Sequence, residues 1–284
     1  MFKTIGAVNL VFSLCCLPGT SQANDFNLTR LGNVLSFEGY ITPDSARAVT
    51  KELEHNTDVF LIDSFGGDAV AGLQIATEIR KKDVLVIVNR YCLSSCANYI
   101  FVGAKRKILN SAGIVGFHGG LTGSPPPVLE KNDYPFLTEN ELKKEQIDLQ
   151  RQYLREADFY KSIGFNPEFL KKSFDLTKLE RPERYIEIIA DKKNYHFELK
   201  YADKAKEKMA QLDAAHKSYE FHVMTNVQVK KKFYFPKKET LEKYGVKGIE
   251  KYEYPRNPVE IRELKKGLDK EYLLPGLILV GDDF

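Results

Sequence analysis

The chain is expected to be an α/β protein built on a largely parallel sheet. Two observations predict it. Between residues 34 and 121, strand-like apolar runs alternate with helical segments. Successive strand–helix–strand units favour parallel pairing through right-handed crossovers. The runs Val59–Ile62 and Val84–Val88 are apolar throughout, as strands covered on both faces are.

Taken in order, Val34–Ile41 alternates like a strand, and Thr42-Pro43-Asp44 opens a helix to about Glu54, with Pro in the first turn. Val59–Asp63 reads as a buried strand. Gly66-Gly67-Asp68 leads into a helix over about 69–81, with Leu73, Ile75, Ala76 and Ile79 on or near one face. Asp68 is placed to stabilise that helix start. After the strand Val84–Val88, the segment from Ser94 through Phe101 reads as a short buried helix ending at Gly103. Lys107–Leu109 and Ile114–Phe117 are short apolar runs. Gly119–Pro135, with Gly119-Gly120, Gly123 and three consecutive prolines at 125–127, is a loop long enough to suspect function. Helices are expected over about 139–161 and 168–174. Residues 177–231 differ in character: Leu199–Tyr219 is lysine- and alanine-rich and helical, suggesting an insertion or lid. Lys232–Phe235 reads as a strand, a helix follows Pro236 and stops at Gly245, and the apolar tail Leu273–Val280 suits a last strand.

The first residues have the form of an export signal. Lys3 supplies a positive start, Ile5–Leu17 is mainly apolar, and Ser21-Gln22-Ala23 is a small-x-small cleavage site that would make Asn24 the new N-terminus. The apolar run is shorter than the roughly 20 residues of a membrane span. No later segment is long and apolar enough to be one. The net charge is only +3, which argues against wholesale nucleic-acid binding.

Beyond the signal, two cysteines remain, Cys92 and Cys96. In an oxidising compartment the pair can close, because one helical turn separates Cα atoms by about 6 Å. The alternative is two small buried residues. Two thiols without histidines at ligand spacing do not suggest zinc.

Three stretches carry the chemistry: Asp63-Ser-Phe-Gly-Gly67, Cys92-Leu-Ser-Ser-Cys96 and Gly116-Phe-His118. Brought together, they would supply a nucleophile, a base and an oxyanion hole. Ser94 would lie at a strand-to-helix turn, where the helix N-terminus favours developing negative charge. The N–H of Ser95 and of Gly66, or Gly67, could face the oxyanion. His118 would take the Ser94 proton, with a titration near about 6.5 if unperturbed. Taken singly, these features are ordinary: a serine before a helix is usually an N-cap, and a glycine pair is a common turn.

Together they resemble the proteolytic subunit of Clp protease. Ser64-Phe-Gly-Gly67 followed by Ala71-Gly72 and Ile75 looks like that family's Ser-Pro-Gly-Gly loop and helix. Ser94, nine residues before Gly103, and His118, 24 residues after Ser94, match its nucleophile helix and base. The competitor Ser95 does not keep the spacing to Gly103. Phe235–Val246 resembles the short strand and Tyr-Gly turn near that fold's end. The Cys-x-Ser-x-Cys variant is similar to exported Clp-like peptidases. The resemblance covers 34–121 and part of 232–250, and leaves 122–231 unexplained.

What the resemblance implies is a Clp/crotonase ββα spiral with a helical insertion. Its parts would be a signal peptide (1–23), a core (24–176), an insertion or lid (177–231) and the end of the core (232–284). It implies a periplasmic or secreted serine peptidase that works without cofactor on peptide or protein segments and self-associates. For a third catalytic residue, the family count from Gly164 lands on Ser173. Asp175, two residues on, is the chosen candidate. A count back from Phe235 lands near Val229, with Asn226 close by. A Ser–His dyad also stays open, as does an inactive Clp-like scaffold binding a partner through its insertion. A crotonase-type acyl-CoA enzyme is disfavoured by export. Lys105 and Lys107 raise the Ser–Lys dyad of signal peptide peptidases, but are expected to flank a surface strand.

Overall fold

The computed structural model describes residues 26–123, 126, 128–131, 137–178, 183–191, 193–198, 201–226, 232–272 and 277–282. The signal segment and its cleavage site after Ala23 lie outside the described residues, as does Val229. Two compact units divide the chain.

The larger unit, formed by the described residues up to Pro126, by Arg151–Lys178 and by those from Lys232 onward, carries a mostly parallel sheet. It opens with a hairpin that the sequence reading did not anticipate: β1 (Phe26–Leu31) pairs antiparallel with β2 (Val34–Ile41) across a turn at Gly32. Thr42 caps α1 (Pro43–Glu52) through a reciprocal capping box with Ser45. β3 (Val59–Gly67) lies parallel to β2, and Asp68 caps α2 (Ala69–Lys82) by accepting from the Ala71 N–H at 2.7 Å, as expected. β4 (Leu85–Leu93) follows, parallel to β3.

The course of β4 aims the site. Its first part, Leu85–Val88, pairs with β5 (Arg106–Leu109); its last part, Tyr91–Leu93, pairs with β6 (Ile114–Gly116). Between the two, the β3–β4 register shifts, and the buried Asp63 carboxylate stands in for the interrupted ladder. It accepts from the N–H of Arg90 at 2.6 Å and of Tyr91 at 3.3 Å, and from Arg90 Nε at 2.7 Å. A buried N–H that loses its ladder partner needs another acceptor, and Asp63 supplies it. β4 therefore delivers Leu93 next to Gly116.

A short helix, Cys96–Phe101, leaves the end of β4 and is wholly buried. Beyond it come α3 (Glu139–Ile163), α4 (Glu168–Thr177) and the parallel pair β10 (Lys232–Phe235) and β12 (Ile278–Gly281). The expected tail strand is thus present in part. α6 (Lys238–Lys243) follows β10. Asp282 ties the tail down by accepting from Lys237 N–H at 2.8 Å and Thr240 Oγ1 at 2.7 Å. β11 (Ile249–Tyr252) joins the main sheet beside β5, and α7 (Pro258–Tyr272) follows; neither was anticipated. With β11 on one side and β4 on the other, β5 is an interior strand. Lys107 is 0% exposed, so the expectation that it flanks a surface strand is corrected.

The smaller unit is formed by the described residues within 127–150 and 179–229. It is not purely helical, as expected, but a three-stranded antiparallel sheet with a helix. β7 (Glu183–Ala190) is central, between β8 (Lys193–Glu198) and β9 (Glu220–Asn226), and α5 (Ala202–Ala214) packs with them. The reason lies in a period of two: Ile186, Ile188 and Ala190 alternate inward from β7 and meet Ala202, Ala205 and Leu212. The described residues of 127–150 group with those of the insertion. Among the described residues, no helix is long and apolar enough to cross a membrane.

Candidate active site

Ser94 occupies the turn between β4 and the buried helix with φ +57°. A non-glycine residue rarely adopts this left-handed conformation, at a cost of order 1–2 kcal/mol. Three contacts hold it there. The Ser94 N–H donates to Gly116 O at 2.9 Å, extending the β4–β6 ladder. The Ser94 carbonyl accepts from the Asn98 N–H at 2.8 Å, closing the first helical turn. Cys92 and Cys96 form a disulfide that brackets the residue, with Cα atoms 5.2 Å apart.

The turn aims the hydroxyl at the histidine. Ser94 Oγ lies 2.6 Å from His118 Nε2, and Ser94 is only 6% exposed. With the ring proton on Nδ1, Nε2 accepts the serine O–H. Ser95, the competitor, is buried, and among the described residues its hydroxyl has no partner. Of the two serines, it is Ser94 whose hydroxyl meets the His118 ring.

His118 is fixed by its neighbours. Phe117 and Tyr234 exchange main-chain hydrogen bonds at 2.9 and 2.7 Å, joining the residue before His118 to β10. The Phe233 ring meets the imidazole edge to face, with centroids 5.5 Å apart. Loss of water around the partly buried ring pushes its pKa down to about 4, and a hydrogen bond with its own backbone opposes this only in part. The value near 6.5 expected for an unperturbed ring is therefore not kept.

The candidate oxyanion donors divide. The first intrahelical bond is that from the Asn98 N–H to Ser94 O, so the Ser95 N–H precedes the helical ladder and has no partner within it. Gly66 lies against this N–H: a Cβ at Gly66 would come within 2.9 Å of Ser95 N and 2.7 Å of Ser94 Cβ. Glycine keeps that space open. The Gly66 N–H itself donates to Ser64 Oγ at 3.1 Å, so it is shared with a side chain the sequence reading did not weigh. Gly67 has φ +142° and presses against β2; a Cβ there would lie 2.1 Å from Ile41 O.

Asp175 is not brought to the pair. Its carboxylate is 50% exposed and bonds Lys178 Nζ at 3.1 Å; among the described residues, no hydrogen bond joins it to His118. Helical phase is the reason. Ser173 and Thr177, four residues apart, share the buried face of α4, and a residue midway between them points away. The inward groups are hydroxyls: Ser173 Oγ donates to Phe169 O at 2.8 Å, and Thr177 Oγ1 lies 3.3 Å from His118 O. Asn226 belongs to β9 of the smaller unit. Lys107 Nζ donates to Val102 O at 3.0 Å, at the end of the buried helix.

The arrangement can deprotonate one serine hydroxyl beside a main-chain N–H that has no helical acceptor. Set against known proteins, the chain matches no family model, and no curated protein matches it.

Proposed function

We propose that this protein is an exported serine peptidase with a Clp-like catalytic core. The observation that carries the reading is the 2.6 Å approach of Ser94 Oγ to His118 Nε2 at a left-handed strand-to-helix turn. Ser94 attacks the scissile carbonyl as His118 takes its proton, and the Ser95 N–H stabilises the oxyanion. His118 returns the proton to the leaving amine, and water then releases the acyl group by the reverse roles. Among the described residues no carboxylate bonds His118, and the working unit of this reading is a Ser–His dyad. The substrate is a peptide or protein segment bound as an extended strand. A disulfide beside the nucleophile supports a periplasmic or secreted location. Self-association follows from the Clp resemblance alone.

One observation favours a second reading, an inactive scaffold: among the described residues no carboxylate bonds His118. A fluorophosphonate probe on the full chain decides between them. The peptidase is labelled at Ser94, and Ser94→Ala and His118→Ala each abolish labelling while Ser95→Ala keeps it, since alanine supplies the same N–H. An unlabelled wild type, or labelling that moves to Ser95, overturns the proposal.

A further inference from the structure

We infer that Glu156 is a positioning residue: its carboxylate ties the loop that follows His118 to the helix that follows Ser94. The inference rests on the Ser–His reading above.

Glu156 lies on α3 and is 2% exposed. Its Oε2 accepts from Tyr99 OH at 2.8 Å, and Tyr99 belongs to the buried helix Cys96–Phe101. Its Oε1 accepts from the N–H of Thr122 at 3.1 Å and from Thr122 Oγ1 at 2.8 Å. Thr122 lies in the turn Leu121–Gly123, just past His118. One carboxylate thus collects donors from the two segments that present the serine and the histidine.

A parallel tie strengthens the case. Asn98 Nδ2 donates at 2.6 Å to the carbonyl of Gly119, the residue after His118. One turn further along α3, Tyr160 OH donates to Asn98 O at 3.2 Å. The segment Gly119-Gly120-Leu121-Thr122-Gly123 contains three glycines and has few side chains with which to anchor itself. It is pressed onto the carboxylate: a Cβ at Gly120 would lie 3.0 Å from Glu156 Oε1.

Packing alone does not call for this residue. Burying a carboxylate costs desolvation, and among the described residues its bonded partners are hydroxyls and an N–H rather than a cation. An apolar side chain would fill the volume at lower cost but would remove the bonds to Tyr99 and Thr122, leaving the Asn98 contact at Gly119 to hold the histidine loop. A small drift of that loop moves the base off the serine proton, and misplacement of about 1 Å can cost around 100-fold in rate.

The test measures fluorophosphonate capture at Ser94 of the full chain, resolved into a maximal rate and a half-saturating concentration. Thr122→Val should lower the maximal rate by roughly ten-fold or more, with the half-saturating concentration changed by less than about two-fold. Thr122→Ser should restore it, because serine returns the hydroxyl that valine lacks, while all three keep the main-chain N–H. Glu156→Gln should slow capture similarly, and the double variant Glu156→Gln/Thr122→Val should be no slower than the slower single, since both cut one link. If Glu156→Gln does not fold, the Thr122 pair decides. Thr122→Val captured at the wild-type rate, or Thr122→Ser as slow as Thr122→Val, overturns the tie and leaves the peptidase reading standing. An inert wild type overturns both.

Discussion

Thr177 Oγ1 lies 3.3 Å from the main-chain carbonyl of His118, while Asp175, two residues earlier on α4, turns its carboxylate outward to Lys178. The helix therefore meets the histidine segment with a hydroxyl on its inward face, whose shorter bond, at 2.7 Å, goes to Ser173 O. No carboxylate of α4 shares the imidazolium charge.

Asp175→Asn should accordingly leave the rate of probe capture within about two-fold of wild type, as is usual for an exposed polar position. In a working triad the orienting Asp is worth about 10,000-fold. A loss of that order in Asp175→Asn would show that the carboxylate reaches the ring during turnover.

The pH profile should report the low histidine pKa. In the proposed peptidase the active form of the base is the neutral ring. Because desolvation pushes its pKa down to about 4, activity should persist through pH 6 and fall only as the pH drops towards 4. A rate profile for capture at Ser94 checks this. An acid limb centred near 6.5 would mean that water reaches the ring freely.

Lys107 should make stability rise with pH. Burial, with a smaller contribution from Arg80, pushes its pKa from 10.5 down to about 7. Between these values the unfolded chain binds a proton that the native state refuses, so stability increases as the pH rises through that window. The difference is worth up to about 5 kcal/mol. Lys107→Met should flatten the dependence and, at pH 6, stabilise by about 1–3 kcal/mol, as replacement of a buried charge by an apolar side chain often does. Urea unfolding of both proteins between pH 6 and 9 measures it. Parallel pH dependences would refute the assignment.

Loss of the Cys92–Cys96 bridge should act on Ser94 more than on the fold. Its loop is short, so chain entropy assigns it only about 2 kcal/mol. It brackets a serine held at φ +57°, however. The double variant Cys92→Ala/Cys96→Ala should stay folded and show a markedly slower probe capture. Mass spectrometry after alkylation without reductant should find no modified Cys92 or Cys96; two alkylated thiols would reject the bridge.

Much of this molecule was legible in local signals. Thr42, Pro43 and Asp68 mark helix starts because a cap needs only its own first turn. The apolar runs at β3 and β4 mark buried strands, and the glycine pair, Ser94 and His118 were picked out by order and spacing. The hairpin strand β1 and the sheet of the smaller unit were missed, although Ile186, Ile188 and Ala190 carry the period of two. The lysine-rich helix after them dominated the composition there.

Other features were decided by tertiary structure alone, because they depend on which distant residues meet. A count along the chain brings Asp175 near the expected third position, but the phase of α4 turns it outward and Thr177 inward. Lys107 looks like a surface residue until β11, more than 140 positions away, closes the far side of its strand. Glu156 is an ordinary glutamate in a helix until Tyr99 and Thr122 converge on it. Even the low pKa of His118 is not a property of histidine. It comes from the surroundings that take water from the ring, and no stretch of sequence beside it specifies them.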